Sequence, residues 1–225
     1  MLAAMLWVSL GPMPTAGAAV GLVPGTQLFF RGGGSCSLGF LATNADGDRL
    51  AVTAGHCADG VDQRVVSENG NPIGIVVHHT PDIGLDDGVP ANEFHGVTLI
   101  QLSRNTYTAD AYFTEFGNPS IGDFVKKYGA RTEKTSGKVT DISFVPDNPR
   151  LSSMWSTMVT LPGDSGAAWV GGGDSGPKLV GLHIGSTERA DGGFGYALGF
   201  PIRSLIALVK KNSPNWGPGF IPVGV

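Results

Sequence analysis

The chain has 225 residues, enough for one domain or for two small ones sharing an interface. It carries 15 basic and 19 acidic side chains, a formal charge of −4 with only 15% of residues charged, and it shows no basic stripe of the kind a nucleic-acid binder needs. Its 35 glycines and 15 prolines follow no G-X-Y period and 41% of residues are hydrophobic, so collagen-like repeats and simple disorder are excluded and short strands joined by turns fit best.

Residues 1–18, MLAAMLWVSLGPMPTAGA, open with an apolar run from Leu2 to Leu10, pass a Gly-Pro break and end in Ala16-Gly17-Ala18. This reads as a secretory signal peptide with an A-x-A cleavage site. Its apolar core is too short for a membrane span, which needs ~20 apolar residues, and no later segment reaches that length. An exported chain without a membrane span is expected, extracellular or in the cell envelope. The two cysteines, Cys36 and Cys57, suggest one disulfide in such a compartment. Two cysteines cannot complete a structural zinc site, and the five histidines show no H-E-x-x-H spacing, so neither a metal nor another cofactor is expected.

From residue 26 to 185 the apolar segments are short and rich in β-branched and aromatic residues: QLFF, CSLGFLA, RLAVTA, IGIVVHH, VTLIQL, DFVKKYG, GKVTDISFV, STMVTL, AAWV and KLVGLHI. Turn residues separate them at the spacing of an all-β barrel or sandwich. The pattern then becomes helical from Pro201 to Lys211, with Pro at the start and lysines at the end, which predicts one C-terminal helix. The Gly/Pro-rich tail beyond it is expected to be irregular.

Two short motifs carry chemistry. Thr53-Ala54-Gly55-His56-Cys57 places a histidine just after an apolar strand, and Pro162-Gly163-Asp164-Ser165-Gly166 places a serine among glycines. A serine hydroxyl is a poor nucleophile at neutral pH, so it needs a base within reach and backbone N–H groups aimed at the developing oxyanion. Together with CSLGF upstream, the stretch IGDFVKKYGARTEKTSGKVTDI and the strand LVGLHIGS, these motifs make the chain resemble the chymotrypsin-like serine proteases, within them the short bacterial secreted, streptogrisin-like group. The resemblance implies an all-β fold of two six-stranded Greek-key barrels with a C-terminal helix, divided as residues 1–18, 19–115 and 116–225. It implies His56 as general base, Ser165 as nucleophile and the N–H groups of Gly163 and Ser165 as oxyanion hole. The second G-D-S-G, at Gly173 to Gly176, leaves too few residues before Gly181 for the hairpin the family needs, so Ser175 is expected in a turn.

The third member of the triad departs from the family pattern, because the residue before the strand Val97–Leu102 is Gly96 rather than aspartate. Asp82, which opens a family-like D-I-G-L run, is the first candidate; Asp86 and Asp87 are alternatives, and the remaining possibility is that no acid orients His56. The position of a family serine that also contacts the acid holds Ile184. By the same resemblance His183, Thr160 and Ser186 line a primary pocket suited to Glu or Gln before the scissile bond, since an imidazole and hydroxyls satisfy a carboxylate or amide. His78, His79 and His95 read as surface or strand histidines. Asp164 needs a cationic partner, for which Lys127 or Arg131 is available. The expectation is a monomeric serine endopeptidase acting on proteins or peptides, with no nucleic-acid partner; the alternative is a weak or inactive protease-fold binding protein.

Overall fold

The computed structural model describes residues 19–84, 94–108, 112–189 and 192–223; the signal-like residues 1–18 and the alternative acids Asp86 and Asp87 lie outside them. The described strands are β1 (Val20–Leu22), β2 (Gln27–Phe30), β3 (Ser35–Ser37), β4 (Phe40–Thr43), β5 (Leu50–Ala54), β6 (Arg64–Val66), β7 (Pro72–Thr80), β8 (Val97–Leu102) and β9 (Thr106–Thr108) in the first half. In the second they are β10 (Glu115–Phe116), β11 (Phe124–Gly129), β12 (Glu133–Ser143), β13 (Ser153–Ser156), β14 (Ala168–Gly172), β15 (Pro177–Glu188), β16 (Phe194–Pro201) and β17 (Ile221–Pro222), with helix α1 (Ile202–Asn212) before the last.

Strands β11, β12, β13, β16, β15 and β14 pair in a ring that closes back on β11, a six-stranded barrel, with β10 added in parallel beside β15. The earlier strands form a curled half-barrel sheet in the order β17-β4-β5-β8-β7-β6-β2-β3. Its curl is drawn together by single bonds at the junction of β3 and β4, where the Leu38 amide donates to Thr26 O and the Gly39 amide to Val52 O. Alternation explains these strands: β2 buries Leu28 and Phe30, and β5, covered on both faces, is buried throughout. Helix α1 buries Ile202, Leu205, Ile206, Leu208 and Val209 on one side and carries Lys210 and Lys211 in its last turn, where cations suit the helix dipole.

One predicted strand shifts. STMVTL is extended only at its start, because β13 covers Ser153–Ser156 and the ladder then stops. Beyond it the backbone is held by other partners: Thr157 N–H donates to Lys138 O, Met158 N–H to Ser156 Oγ, and Val159 O accepts from Thr135 Oγ1. The tail is turn-rich as expected, but Ile221 and Pro222 return to pair with β4 of the first sheet. His95 is also not a surface or strand residue: it is fully buried, packed against Phe200 at a ring-centroid distance of 5.6 Å.

Register places the loops that matter. Val97 lies opposite both Ala54 and Thr80, so the end of β5, the end of β7 and the start of β8 meet at one end of the sheet. His56, Asp82 and Gly96 follow from those three points. Cys36 and Cys57 are joined in a disulfide that ties β3 to the turn carrying His56. On the chain-entropy model this link contributes about 3 kcal/mol by restricting the unfolded chain, so the double variant Cys36→Ala/Cys57→Ala is expected to lose about that much unfolding free energy in urea titration, with an m-value at or above wild type because its unfolded state is more expanded.

Candidate active site

His56 sits in a 3-10 turn, Gly55–Cys57, directly after β5. The turn is braced from behind, since Gly55 O is contacted by His79 Nε2 at 3.0 Å and accepts from Thr98 Oγ1. In front, His56 Nδ1 lies 2.5 Å from Asp82 Oδ2 and the His56 amide donates to the same oxygen at 3.2 Å. The carboxylate can only accept, so the ring proton belongs on Nδ1 and Nε2 is left as the base. The imidazole is 39% exposed and the Asp82 side chain 9%, so the carboxylate is covered while the ring reaches the surface. Burial by itself raises the Asp82 carboxyl, but the His56 hydrogen bond and charge and the Gly96 amide outweigh it and hold it below the ordinary carboxylate range.

Gly96 explains how the acid can come from elsewhere. Its amide donates to Asp82 Oδ1, and a Cβ at Gly96 would run into Thr80 O and the Pro81 backbone. The space that a side chain of residue 96 would need is therefore filled by the Thr80-Pro81 backbone that leads to Asp82. Ile184 is buried in the core and offers no polar contact; the second carboxylate oxygen is satisfied by the Gly96 amide instead.

Ser165 occupies the turn between Leu161 and β14. Gly163 and Gly166 both have positive φ, +103° and +86°, which only glycine adopts without strain, and Gly166 passes against Thr53 and Ser37. Among the described residues the amides of Gly163 and Ser165 donate to no acceptor and Ser165 Oγ has no hydrogen-bond partner. Neighbouring groups hold the turn instead: Ser165 O accepts from the Ser37 amide at 2.7 Å, Gly163 O from Ser37 Oγ at 2.9 Å, and the Gly166 amide donates to His183 O. Ser37 Oγ in turn accepts from the Ala130 amide. Ser37 stood in the CSLGF motif, yet nothing in the sequence marked its hydroxyl as a strut between the two halves.

Asp164 points into the protein, away from this turn's open side. Lys127 Nζ lies 2.7 Å from its Oδ2, and both side chains are fully buried. The carboxylate also accepts from Thr132 Oγ1, Thr160 Oγ1 and the amides of Arg131, Thr132 and Leu161. Of the two cations expected as its partner, Lys127 makes the ion pair; Arg131 contributes its amide, while its side chain lies over Gly163. Burial alone would raise the Asp164 carboxyl, but Lys127 and Thr132 outweigh it and hold it far below the usual range.

His183 and Thr160 are brought together, with Thr160 Oγ1 2.6 Å from His183 Nε2 and 3.2 Å from Asp164 Oδ2. The imidazole stacks on Trp169 and is only 2% exposed; burial, with Lys127 acting in the same direction, pushes its pKa down to about 3, so it is neutral at physiological pH. Ser186 lies further along β15, exposed, and is hydrogen-bonded to neither. Ser175 is exposed in the β14–β15 turn, closed by the Gly173 amide on Gly176 O. Metal-ligating atoms group at Cys36, His56 and Cys57, but the two sulfurs are bonded to each other and offer no thiolate.

No family model matches the chain. It is 28% identical over 194 residues to glutamyl endopeptidase 2 of Streptomyces griseus, covering 82% of this chain and 96% of that protein. It is 26% identical over 170 residues to streptogrisin-D of the same organism, covering 70% of this chain but only 41% of that longer relative. In structure it superposes on Nocardiopsis protease with a TM-score of 0.63 at 20% identity, covering 90% and 99% of the two chains. The fold is chymotrypsin-like. In sequence the chain is similar to streptogrisin-like bacterial serine proteases.

Asp164→Asn leaves Lys127 buried without its counter-charge and is expected to cost about 3–5 kcal/mol at pH 7. Because the folded carboxyl stays ionised below the unfolded value of about 3.9, the unfolded state binds the extra proton as pH falls. The ionic contribution is thus complete above about pH 5 and is lost on acidification, so the melting-temperature gap between wild type and variant should narrow from pH 7 to pH 3.

Proposed function

We propose that this protein is a secreted serine endopeptidase in which Ser165 is the nucleophile, His56 the general base, Asp82 the orienting acid, and the Gly163 and Ser165 amides the oxyanion hole. The observation that carries the reading is the Asp82 carboxylate on His56 Nδ1 at 2.5 Å, supplied from the end of β7 although Gly96 stands before β8. In this scheme His56 Nε2 takes the Ser165 proton as Oγ attacks the scissile carbonyl, and Asp82 stabilises the imidazolium that forms. The two amides receive the oxyanion; His56 then returns the proton to the leaving amine, and water releases the acyl group by the same steps in reverse. The signal-like residues 1–18 and the disulfide support export.

The primary pocket is read as preferring Glu or Gln. His183 and Thr160 support this, as does the name of the glutamyl endopeptidase relative. The histidine is neutral; Thr160 gives its hydroxyl proton to Asp164 and so accepts from His183 Nε2–H, which leaves Nδ1 an acceptor without a partner among the described residues, one that a Gln amide N–H or a protonated Glu carboxyl would satisfy and an apolar side chain would not. Histidines after residue 95 number one, His183 itself, so any imidazole readout on the second barrel rests on that residue.

A fluorophosphonate probe should label the folded protein rapidly, with labelling abolished in Ser165→Ala and His56→Ala. Asp82→Asn should lower kcat by about 10⁴ through loss of the ring's tautomer and orientation. Absence of labelling in folded, disulfide-intact protein would sink the enzyme and leave a binding crevice. Among peptides differing only before the scissile bond, Glu or Gln should exceed Leu in kcat/KM by at least about 10², and His183→Val should remove most of that preference.

A further inference from the structure

The segment bearing Asp82 is gripped from the opposite half of the molecule. Between Thr80, the last residue of β7, and Val97, the first of β8, the described chain has only one bridge of its own, Ile83 with Phe94. Arg150, in the 3-10 turn Pro149–Leu151 between β12 and β13, reaches across to both sides of that bridge. Its Nε donates to His95 O at 3.0 Å, and its Nη2 donates to Phe94 O at 3.2 Å and to Pro81 O. Its own carbonyl accepts from the His95 amide at 2.9 Å, and its guanidinium lies over the Phe94 ring at 5.5 Å.

These contacts fall at two points in the chain. Pro81 immediately precedes Asp82, and Phe94 and His95 immediately precede Gly96, whose amide donates to Asp82 Oδ1. One cation thus clamps the segment that carries the acid to the segment that receives its second oxygen. The chemistry demands this residue type, because three convergent carbonyls require several donors in a fixed plane and arginine supplies five. A strand-borne acid would be held by its ladder; this one stands in a loop and has Arg150 in the ladder's place.

We propose that Arg150 is the positioning residue of the triad carboxylate, fixing Pro81 against Phe94-His95 so that Asp82 stays on both the His56 ring and the Gly96 amide. The proposal rests on reading Asp82 as the acid. Among the described residues Arg150 bonds neither His56 nor Ser165, so in this scheme it acts on the reaction through Asp82. Misplacement of a catalytic group by about 1 Å costs on the order of 10² in rate.

The test is a double-mutant cycle on one peptide substrate, with kcat and KM measured for wild type, Arg150→Ala, Asp82→Ala and the double variant, each at equal folded concentration. Arg150→Ala is expected to lower kcat about 10²-fold with KM little changed, Arg150→Lys to recover part of the loss, and Arg150→Ala to have no further effect in the Asp82→Ala background. Equal losses in both backgrounds, or an unchanged kcat in Arg150→Ala, would overturn the proposal while leaving the triad intact. Full activity in Asp82→Ala would instead overturn the triad reading, and the clamp's catalytic meaning with it. If Arg150→Ala does not fold, Arg150→Lys carries the test: the downfield proton resonance of His56 Nδ1–H should broaden or shift, and an unchanged resonance with unchanged kcat counts against the clamp.

Discussion

A charge removed from water beside Ser165 organises the second barrel. Asp164 and Lys127 are both fully buried, and a buried pair is tolerable only when its remaining lone pairs and protons are satisfied. The carboxylate is fully supplied: Asp164 takes donors from Lys127, two threonines and three amides, while Lys127 bonds Asp164 and Thr132 with two of its three protons. That network joins β11, the turn after it, the residues before the active-site turn and, through Thr160, the histidine His183. Because Asp164 is chemically committed inward, Gly163 and Ser165 on either side of it are held with their amides free. Lys127 supplies the counter-charge from within the folded chain, so the turn depends on no separately generated cation.

The first sheet contributes its half by register rather than by a charged network. Three strand ends converge where Val97 faces Ala54 and Thr80, and the residues next to them carry His56, Asp82 and the Gly96 amide that donates to Asp82. Glycine at 96 is the steric condition for this arrangement, since the Thr80-Pro81 backbone leading to Asp82 passes where a Cβ would sit. Ser37 joins the two halves at the level of the nucleophile, with its amide, hydroxyl and carbonyl all engaged, the last by Thr53. Arg150 likewise spans the two halves, bonding the carbonyls of Pro81, Phe94 and His95.

Much of this was legible before folding was considered. The period-two strands, the C-terminal helix from Pro201 and the Cys36–Cys57 link follow from local pattern and composition, because each depends on side chains close in sequence or few in number. Lys127 and Arg131 were both available as partners of Asp164 through the family resemblance of the VKKYGARTEK stretch, and the choice between them was left to the structure. The struts were not legible: a serine hydroxyl such as that of Ser37 or an arginine such as Arg150 carries no local pattern, and its partners are backbone groups that every residue possesses. His95 was misread for a related reason, since one histidine between a loop and a strand says nothing about whether the opposite half will cover it.

The amino-acid sequence by itself determined the class of architecture, the base and nucleophile candidates, and which serine of the two G-D-S-G segments had room for the following hairpin. It left Asp82, Asp86, Asp87 or no acid at all as open answers for the residue on His56. Only the tertiary structure placed Asp82 there, because the choice rests on sheet register and on the space left by Gly96, and both arise from pairings between strands distant in the chain. Hydrogen-bond ladders between such strands fix side-chain positions to within an ångström, a precision that residue identity and spacing along the chain do not carry.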